Sequence, residues 1–179
     1  MRKLFFGISI PKKTADKFLP LYHELVREYP KLTFSPPRKW HITIHFVGDV
    51  TEKAYEVIRE NFKRNKLPAV SPIVLGGNPA LGTFGNLVLF LRVRDEGKEL
   101  EDLHRALSEM VPVHLTRTFH PHVAWARNPR NVSLPGIIQN HTHTVEKEYN
   151  LGRLILFESL SEKGKTVFIP CAYRVLRRR

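Results

Sequence analysis

The chain predicts an α+β fold: two similar lobes, each an antiparallel sheet with helices packed outside, related by a pseudo-twofold and facing each other across a cleft. Three observations predict it. Strand-like and helix-like stretches alternate along the sequence. Each half carries strands, one substantial helix and one histidine-bearing strand. The two histidine strands, around 40–48 and 119–127, also share one pattern of alternation. A strand sends successive side chains to opposite faces, so His41, Thr43 and His45 fall on one face and Ile42, Ile44 and Phe46 on the other. In the second strand His120, His122 and Ala124 oppose Val123 and Trp125. Two such rows imply a cleft with an imidazole supplied from each side. No low-complexity tract or linker divides the halves, so residues 1–179 read as one bilobal domain.

In chain order, residues 3–10 are apolar and strand-like. Ala15, Phe18, Leu19, Tyr22 and Leu25 recur at helical spacing, which predicts a helix over 14–28 ended by Pro30. A short strand at 32–34 and a stiff Ser-Pro-Pro turn at 35–39 lead into the first histidine strand. Thr51 is placed to N-cap a helix running to about Phe62. A strand near 71–76, a Gly/Pro-broken loop at 77–85 and a strand at 87–93 follow. Leu100, Leu103, Leu107 and Met110 mark the apolar face of a helix within 95–110. After the second histidine strand, 128–140 reads as a polar loop, and strands are expected around 143–149, 151–157 and 166–175.

Composition narrows the class. A hydrophobic fraction of 42% and a charged fraction of 26% describe an ordinary globular chain. No apolar run approaches the roughly 20 residues that span a bilayer, so no membrane partner is expected. The basic, apolar start at 1–10 ends in Pro11-Lys12-Lys13 without a small-residue cleavage site and reads as a first strand, not a leader. Cys171 is the only cysteine, which excludes an internal disulfide and fits a cytoplasmic location. No unpaired apolar helix or coiled-coil pattern demands a partner chain, so a monomer is expected. A formal net charge of +12 favours polyanions, through phosphate neutralisation and counterion release.

The pieces Leu4-Phe5-Phe6-Gly7-Ile8, His41-Ile42-Thr43-Ile44-His45-Phe46-Val47-Gly48, Phe119-His120-Pro121-His122-Val123-Ala124-Trp125-Ala126-Arg127 and Leu154-Ile155-Leu156-Phe157-Glu158-Ser159 together resemble the two-histidine phosphoesterases. The fit is to their RNA 2',3'-cyclic phosphodiesterase branch, also called 2'-5' RNA ligases. One His-x-Thr is uninformative; the two histidine motifs in order, with Phe-Val-Gly after the first and Pro before the second, are fairly specific. The resemblance implies hydrolysis of 2',3'-cyclic phosphate ends of RNA or nucleotides to 2'-phosphates, and reversible 2'-5' RNA ligation. It implies His122 as general base, His41 as general acid, and Thr43 and Arg127 as ligands of the non-bridging oxygens. Phe6 reads as a core aromatic, and its place in the family's first strand also makes it a candidate to stack on a base. No cofactor or metal is implied.

Ala124 departs from the family pattern, which has Thr or Ser there. Losing one hydrogen bond to a charged group costs about 1.5–3 kcal/mol. Either another group makes that contact or the activity or substrate differs. A non-catalytic RNA-binding module that keeps the cleft is therefore the alternative reading. His45 and His120 read as structural or rim histidines, His23 and His104 as surface or boundary residues on helices. His120-x-His122 and His141-x-His143 each have a spacing that zinc accepts, but no carboxylate accompanies either pair in a known ligand pattern, so no metal site is expected.

Overall fold

The first histidine strand is β3 (His41–Val50), and β1 (Arg2–Ser9) lies antiparallel beside it. The second is β7 (His122–Arg127). The remaining strands are β2 (Thr33–Phe34), β4 (Ile73–Gly77), β5 (Leu81–Phe84), β6 (Val88–Arg94), β8 (Val145–Tyr149), β9 (Arg153–Glu162) and β10 (Lys165–Val175). The structure is a computed structural model that describes residues 1–111, 118–162 and 164–179. Among the described residues these ten strands form a sheet with the path β10-β9-β1-β3-β7-β6-β4-β8, with β2 against β7 and β5 against β6. The pairings between these strands are antiparallel, and four strands of that path lie on each side of the β3–β7 seam. The predicted α+β class with its antiparallel sheets is the observed one.

The helices follow their capping signals. The predicted helix over 14–28 is divided into α1 (Lys12–Ala15), a 3-10 turn at Asp16–Phe18 and α2 (Leu19–Glu28). Pro20 explains the division: it is tolerated in a first turn but would clash inside a longer helix. Thr51 caps α3 (Glu52–Arg64) by accepting from the Ala54 amide at 3.3 Å, and Tyr55, Ile58 and Phe62 form its buried stripe. In α4 (Glu99–Ser108) Leu100, Leu103 and Leu107 are buried. The expected loop 128–140 contains α5 (Leu134–Asn140), capped by Ser133 with Pro135 in its first turn. β5 likewise occupies part of the expected loop 77–85.

The halves of the chain do not map onto the halves of the sheet. β9 and β10 return to cover the outer edge of β1, which would otherwise expose unpaired backbone groups. α4 packs against β3 and α3 against β10, whereas the Asp16–Phe18 turn packs against β8. Each half-sheet is thus completed by segments from the opposite end of the sequence.

The seam between the half-sheets is narrow. β3 and β7 share the pair Ile42–Val123, both fully buried. Near it, Trp40 and Trp125 stack with centroids 4.9 Å apart and planes at 20°, and Tyr22 of α2 meets both rings edge-on. Trp40 Nε1 and the Tyr22 hydroxyl each donate to the Ser35 carbonyl at 3.0 Å, and the Ser35 amide donates to the Trp125 carbonyl at 2.7 Å. The proline-rich turn thereby ties both histidine strands to one point. Trp125→Ala is expected to cost about 3–5 kcal/mol in urea unfolding, the range for emptying a buried aromatic site. A loss below about 1 kcal/mol would show that the stack does not hold the seam.

Candidate active site

The pair Ile42–Val123 fixes the geometry of both histidines. In antiparallel register His41 then stands opposite Ala124 and Thr43 opposite His122, all four on the face away from Ile42 and Val123. His41 and His122 occupy diagonal positions, roughly 7–8 Å apart along the backbone. Each strand carries a β-bulge at the equivalent place. Ile44 is the extra residue of β3 against β1, and Trp125 the extra residue of β7 against β6. The local twofold therefore relates His41-x-Thr43 to His122-x-Ala124.

The two rings are held alike. His41 Nδ1 lies 2.8 Å from the Lys39 carbonyl, and His122 Nδ1 2.8 Å from the His120 carbonyl. A carbonyl only accepts, so both neutral rings carry their proton on Nδ1 and offer the Nε2 lone pair for proton transfer. Aromatic rings confine each imidazole. Phe5 and Phe168 lie 5.1 and 5.0 Å from His41, and Phe84 and Phe90 lie 4.7 and 5.3 Å from His122.

Burial among these rings disfavours the charged form and lowers the pKa of both histidines below the ordinary 6.5. For His41 the Lys39 carbonyl opposes the shift, and the charge of His122 adds to it. For His122 the His120 carbonyl opposes and the charge of His120 adds. Two imidazoles that sense each other seldom carry charge together, so one-protonated, one-neutral pairs are the states such a site favours.

The other expected site residues divide. Thr43 is partly buried and stands on the histidine face. Arg127 is exposed at the end of β7, and the Trp125 bulge returns it to the same face. Phe6 does not reach the cleft. It is fully buried and packs against Phe62 of α3 at 5.0 Å, because its strand position faces the core. The aromatic beside His41 is its neighbour Phe5. His45 also leaves the predicted row: the Ile44 bulge inverts the alternation, and His45 is buried with its ring 5.0 Å from that of His104. His104 is no ordinary surface residue, since its Nδ1 donates to the Ile44 carbonyl at 2.7 Å and secures the bulge.

Two positions beside the histidines escaped the sequence reading. Gly7 faces Thr43, and a Cβ there would approach the Ile42 carbonyl and the Phe5 ring at 3.2 Å, so its bareness leaves room for the β3 backbone and for the aromatic beside His41. A glycine inside a strand pattern signals such an approach. Arg92 of β6 stands directly opposite His122, with Nε donating to the Leu81 carbonyl at 2.8 Å. It borders a cavity of about 470 Å³ that Phe84, Phe90, Arg94 and His120 also line. Nothing in a lone Arg on an amphipathic strand distinguishes it beforehand. Among the described residues no carboxylate or cysteine joins His120 and His122 to make a three-residue metal cluster; Glu24, His141 and His143 do form one, from α2 and the segment after α5.

No protein-family model and no curated protein sequence matches the chain. Solved structures do. Ligand-free E. coli LigT superposes with a TM-score of 0.74 at 19% identity, over 99% of this chain and 98% of LigT. TT0787 of Thermus thermophilus gives 0.67 at 21% identity over 99% of each chain. The MHV ns2 PDE domain gives 0.60 at 16% identity, over 87% of this chain and 99% of that domain. At such identities the likeness carries the fold: this chain has the LigT fold along nearly its whole length.

Histidine NMR titration is expected to place both His41 and His122 below 6.5, and His122→Ala to move His41 back upward. A His41 midpoint above 6.5, or one indifferent to His122→Ala, would contradict the buried, mutually sensing pair.

Proposed function

We propose that this LigT-fold protein hydrolyses 2',3'-cyclic phosphate ends of RNA or nucleotides to 2'-phosphates by general acid–base catalysis between His41 and His122. The observation that carries the reading is the matched pair of imidazoles, each locked through Nδ1 on a main-chain carbonyl two residues back. Both Nε2 atoms are thereby available for proton transfer at diagonal strand positions, a separation suited to one phosphoryl group between them.

The reaction needs two proton transfers and no electron transfer. As a water oxygen bonds to phosphorus, His122 Nε2 takes its proton; as the P–O3' bond breaks, protonated His41 Nε2 gives its proton to the departing O3'. The products are a 3'-hydroxyl and a 2'-phosphate. With an RNA 5'-hydroxyl in place of water the same steps form a 2'-5' linkage, and run backward, with the roles exchanged, they cleave it. Thr43, beside His122, is placed to donate its hydroxyl to a non-bridging oxygen. Its counterpart beside His41 is Ala124, which has no hydroxyl. Arg92, opposite His122, and Arg127 on the same face are the cations suited to make up that contact.

Substrate class is supported by charge and by the fold's relatives. The net charge of +12 suits a polyanion. LigT has been crystallised with phosphate, with 3'-AMP, with ATP and with NADP+. The cavity beside His122, with Phe84 and Phe90 and with Arg92 and Arg94, suits a base and its phosphate. The described residues contain no helix long and apolar enough to cross a membrane. Ala124 keeps a second reading in play, a cleft that binds RNA without turnover.

Incubation with nucleoside 2',3'-cyclic phosphates in EDTA, with products resolved by chromatography, tests the proposal. Turnover to the 2'-phosphate is expected, and His41→Ala or His122→Ala should each reduce it by roughly 10²–10⁴. RNA binding without any product from the parent protein would establish the binding module instead.

The pH dependence follows from the shared shift. Because both rings release their proton more readily than free imidazole, the singly protonated pair is most populated on the acid side of 6.5. The profile of kcat/KM, which reports the free enzyme, is expected to be a bell with its maximum below pH 6.5, and that of kcat to lie higher because a bound phosphate anion favours protonated imidazole. A kcat/KM maximum on the alkaline side of neutrality would rule the pair out.

A further inference from the structure

We propose that Glu24, His141 and His143 form a binding site for a divalent transition-metal ion of the zinc class, sharing no residue with the His41–His122 pair. Glu24 projects from α2, His141 follows the last turn of α5, and His143 lies two residues further on, ahead of β8. The carboxylate bridges the two rings. Its Oε1 is 3.5 Å from His141 Nδ1 and its Oε2 is 3.6 Å from His143 Nε2. One donor atom from each of the three residues lies within 4.8 Å of the others.

The ring of His141 points to a ligand independently of this clustering. Its side chain is only 5% exposed. Nε2 lies 3.0 Å from Glu28 Oε2 and 3.2 Å from the Tyr29 hydroxyl. Nε2 is thus engaged by the Tyr29 hydroxyl and the Glu28 carboxylate, and Nδ1 is the ring nitrogen left facing Glu24. That Nδ1 is buried without a hydrogen-bond partner. Facing it at 3.5 Å is the Glu24 carboxylate, which makes no hydrogen bond to it, and a cation between the two would give both atoms a partner. A carboxylate on the far nitrogen is moreover the arrangement that fixes the tautomer of metal-bound histidines and strengthens them as donors.

The carboxylate–imidazole distances of 3.5 and 3.6 Å and the donor types agree with this assignment, while the three donors, within 4.8 Å of one another, would draw closer around an ion. Zinc–nitrogen and zinc–oxygen bonds of about 2.0–2.2 Å in a tetrahedron set neighbouring donors roughly 3.3–3.6 Å apart. Two imidazoles and a carboxylate suit zinc, and three protein donors leave the fourth position to water. The spacing His141-x-His143 is visible in sequence, but its carboxylate arrives from a helix far earlier in the chain, which is why the pair alone predicts no site. An ion there would clasp α2 to the segment between α5 and β8. It would also bear on the cleft, since the His143 carbonyl accepts from the Ala80 amide at 3.1 Å, and the Ala80 carbonyl from the Arg92 amide at 2.9 Å.

The test uses the whole chain, stripped of metal, titrated with zinc by calorimetry and with cobalt(II) by visible absorption. The expected result is one ion per chain, the intense visible bands of tetrahedral cobalt and a raised thermal midpoint. Glu24→Gln and His143→Ala, both at half-exposed positions, should each weaken zinc binding at least tenfold with circular dichroism unchanged, while His122→Ala binds zinc as the parent does. No binding overturns the proposal; so does binding that survives both substitutions, or that disappears with His122→Ala. The readout is binding, so failure here leaves the hydrolytic proposal standing, and the converse holds as well.

Discussion

The pairing of Ile42 with Val123 is the contact on which the arrangement of this molecule depends. It joins two half-sheets that otherwise meet edge to edge, and it lies on the local twofold that relates β3 to β7. One backbone register sets four side chains at once: His41 against Ala124, and Thr43 against His122. A slip of either strand by a single residue would turn its histidine into the core. The stacked Trp40 and Trp125 rings and the Ser35 backbone guard against such a slip, because each tryptophan is fixed within a few residues of its histidine. The most hydrophobic packing in the neighbourhood thus serves to hold a polar spacing.

Holding the rings among aromatics has an electrostatic consequence. Desolvation works against imidazolium, yet acid–base chemistry requires that one ring be charged. The main-chain carbonyls of Lys39 and His120 offset part of that penalty by accepting from Nδ1–H, which remains protonated in both charge states. They orient the rings and ease protonation together. The surrounding phenyl groups also leave few rotamers open, so a ring locked through Nδ1 has Nε2 directed without a catalytic carboxylate partner.

How much of this was legible in the sequence depends on the distance over which a rule acts. The alternation of His41, Ile42, Thr43 and Ile44 revealed a strand and its faces correctly up to the bulge. Beyond Ile44 it misplaced His45, because a bulge is set by the neighbouring strand and by His104 across the fold. Phe6 and Phe5 exchange roles for a related reason: an apolar run such as Leu4 to Ile8 has no polar alternation to say which face is which. Caps are local, so Thr51 was readable. The α5 cap was present as Ser133 with Pro135, but the surrounding Asn, Pro and Gly residues outweighed it. The crossing of β9 and β10 to the first half-sheet, Arg92 opposite His122, and Glu24 beside His141 are all long-range pairings, and periodicity is silent on these.

A twofold scaffold poses a problem that side chains must solve. Acid–base displacement at phosphorus is directional, with one imidazole removing a proton while the other supplies one, whereas the backbone here treats β3 and β7 alike from the histidines to the bulges at Ile44 and Trp125. The positions related by the twofold break the equivalence. Thr43 has a hydroxyl and Ala124 has none; Ser9 lies opposite His41 in β1, where Arg92 lies opposite His122 in β6. The guanidinium-bearing residue therefore stands across from one histidine only. Burial is the first cause lowering both rings, and His41 in addition senses the charge of His122. The absence of a hydroxyl at Ala124 and the presence of Arg92 opposite His122 are thus two differences by which side chains distinguish strands that the backbone makes alike.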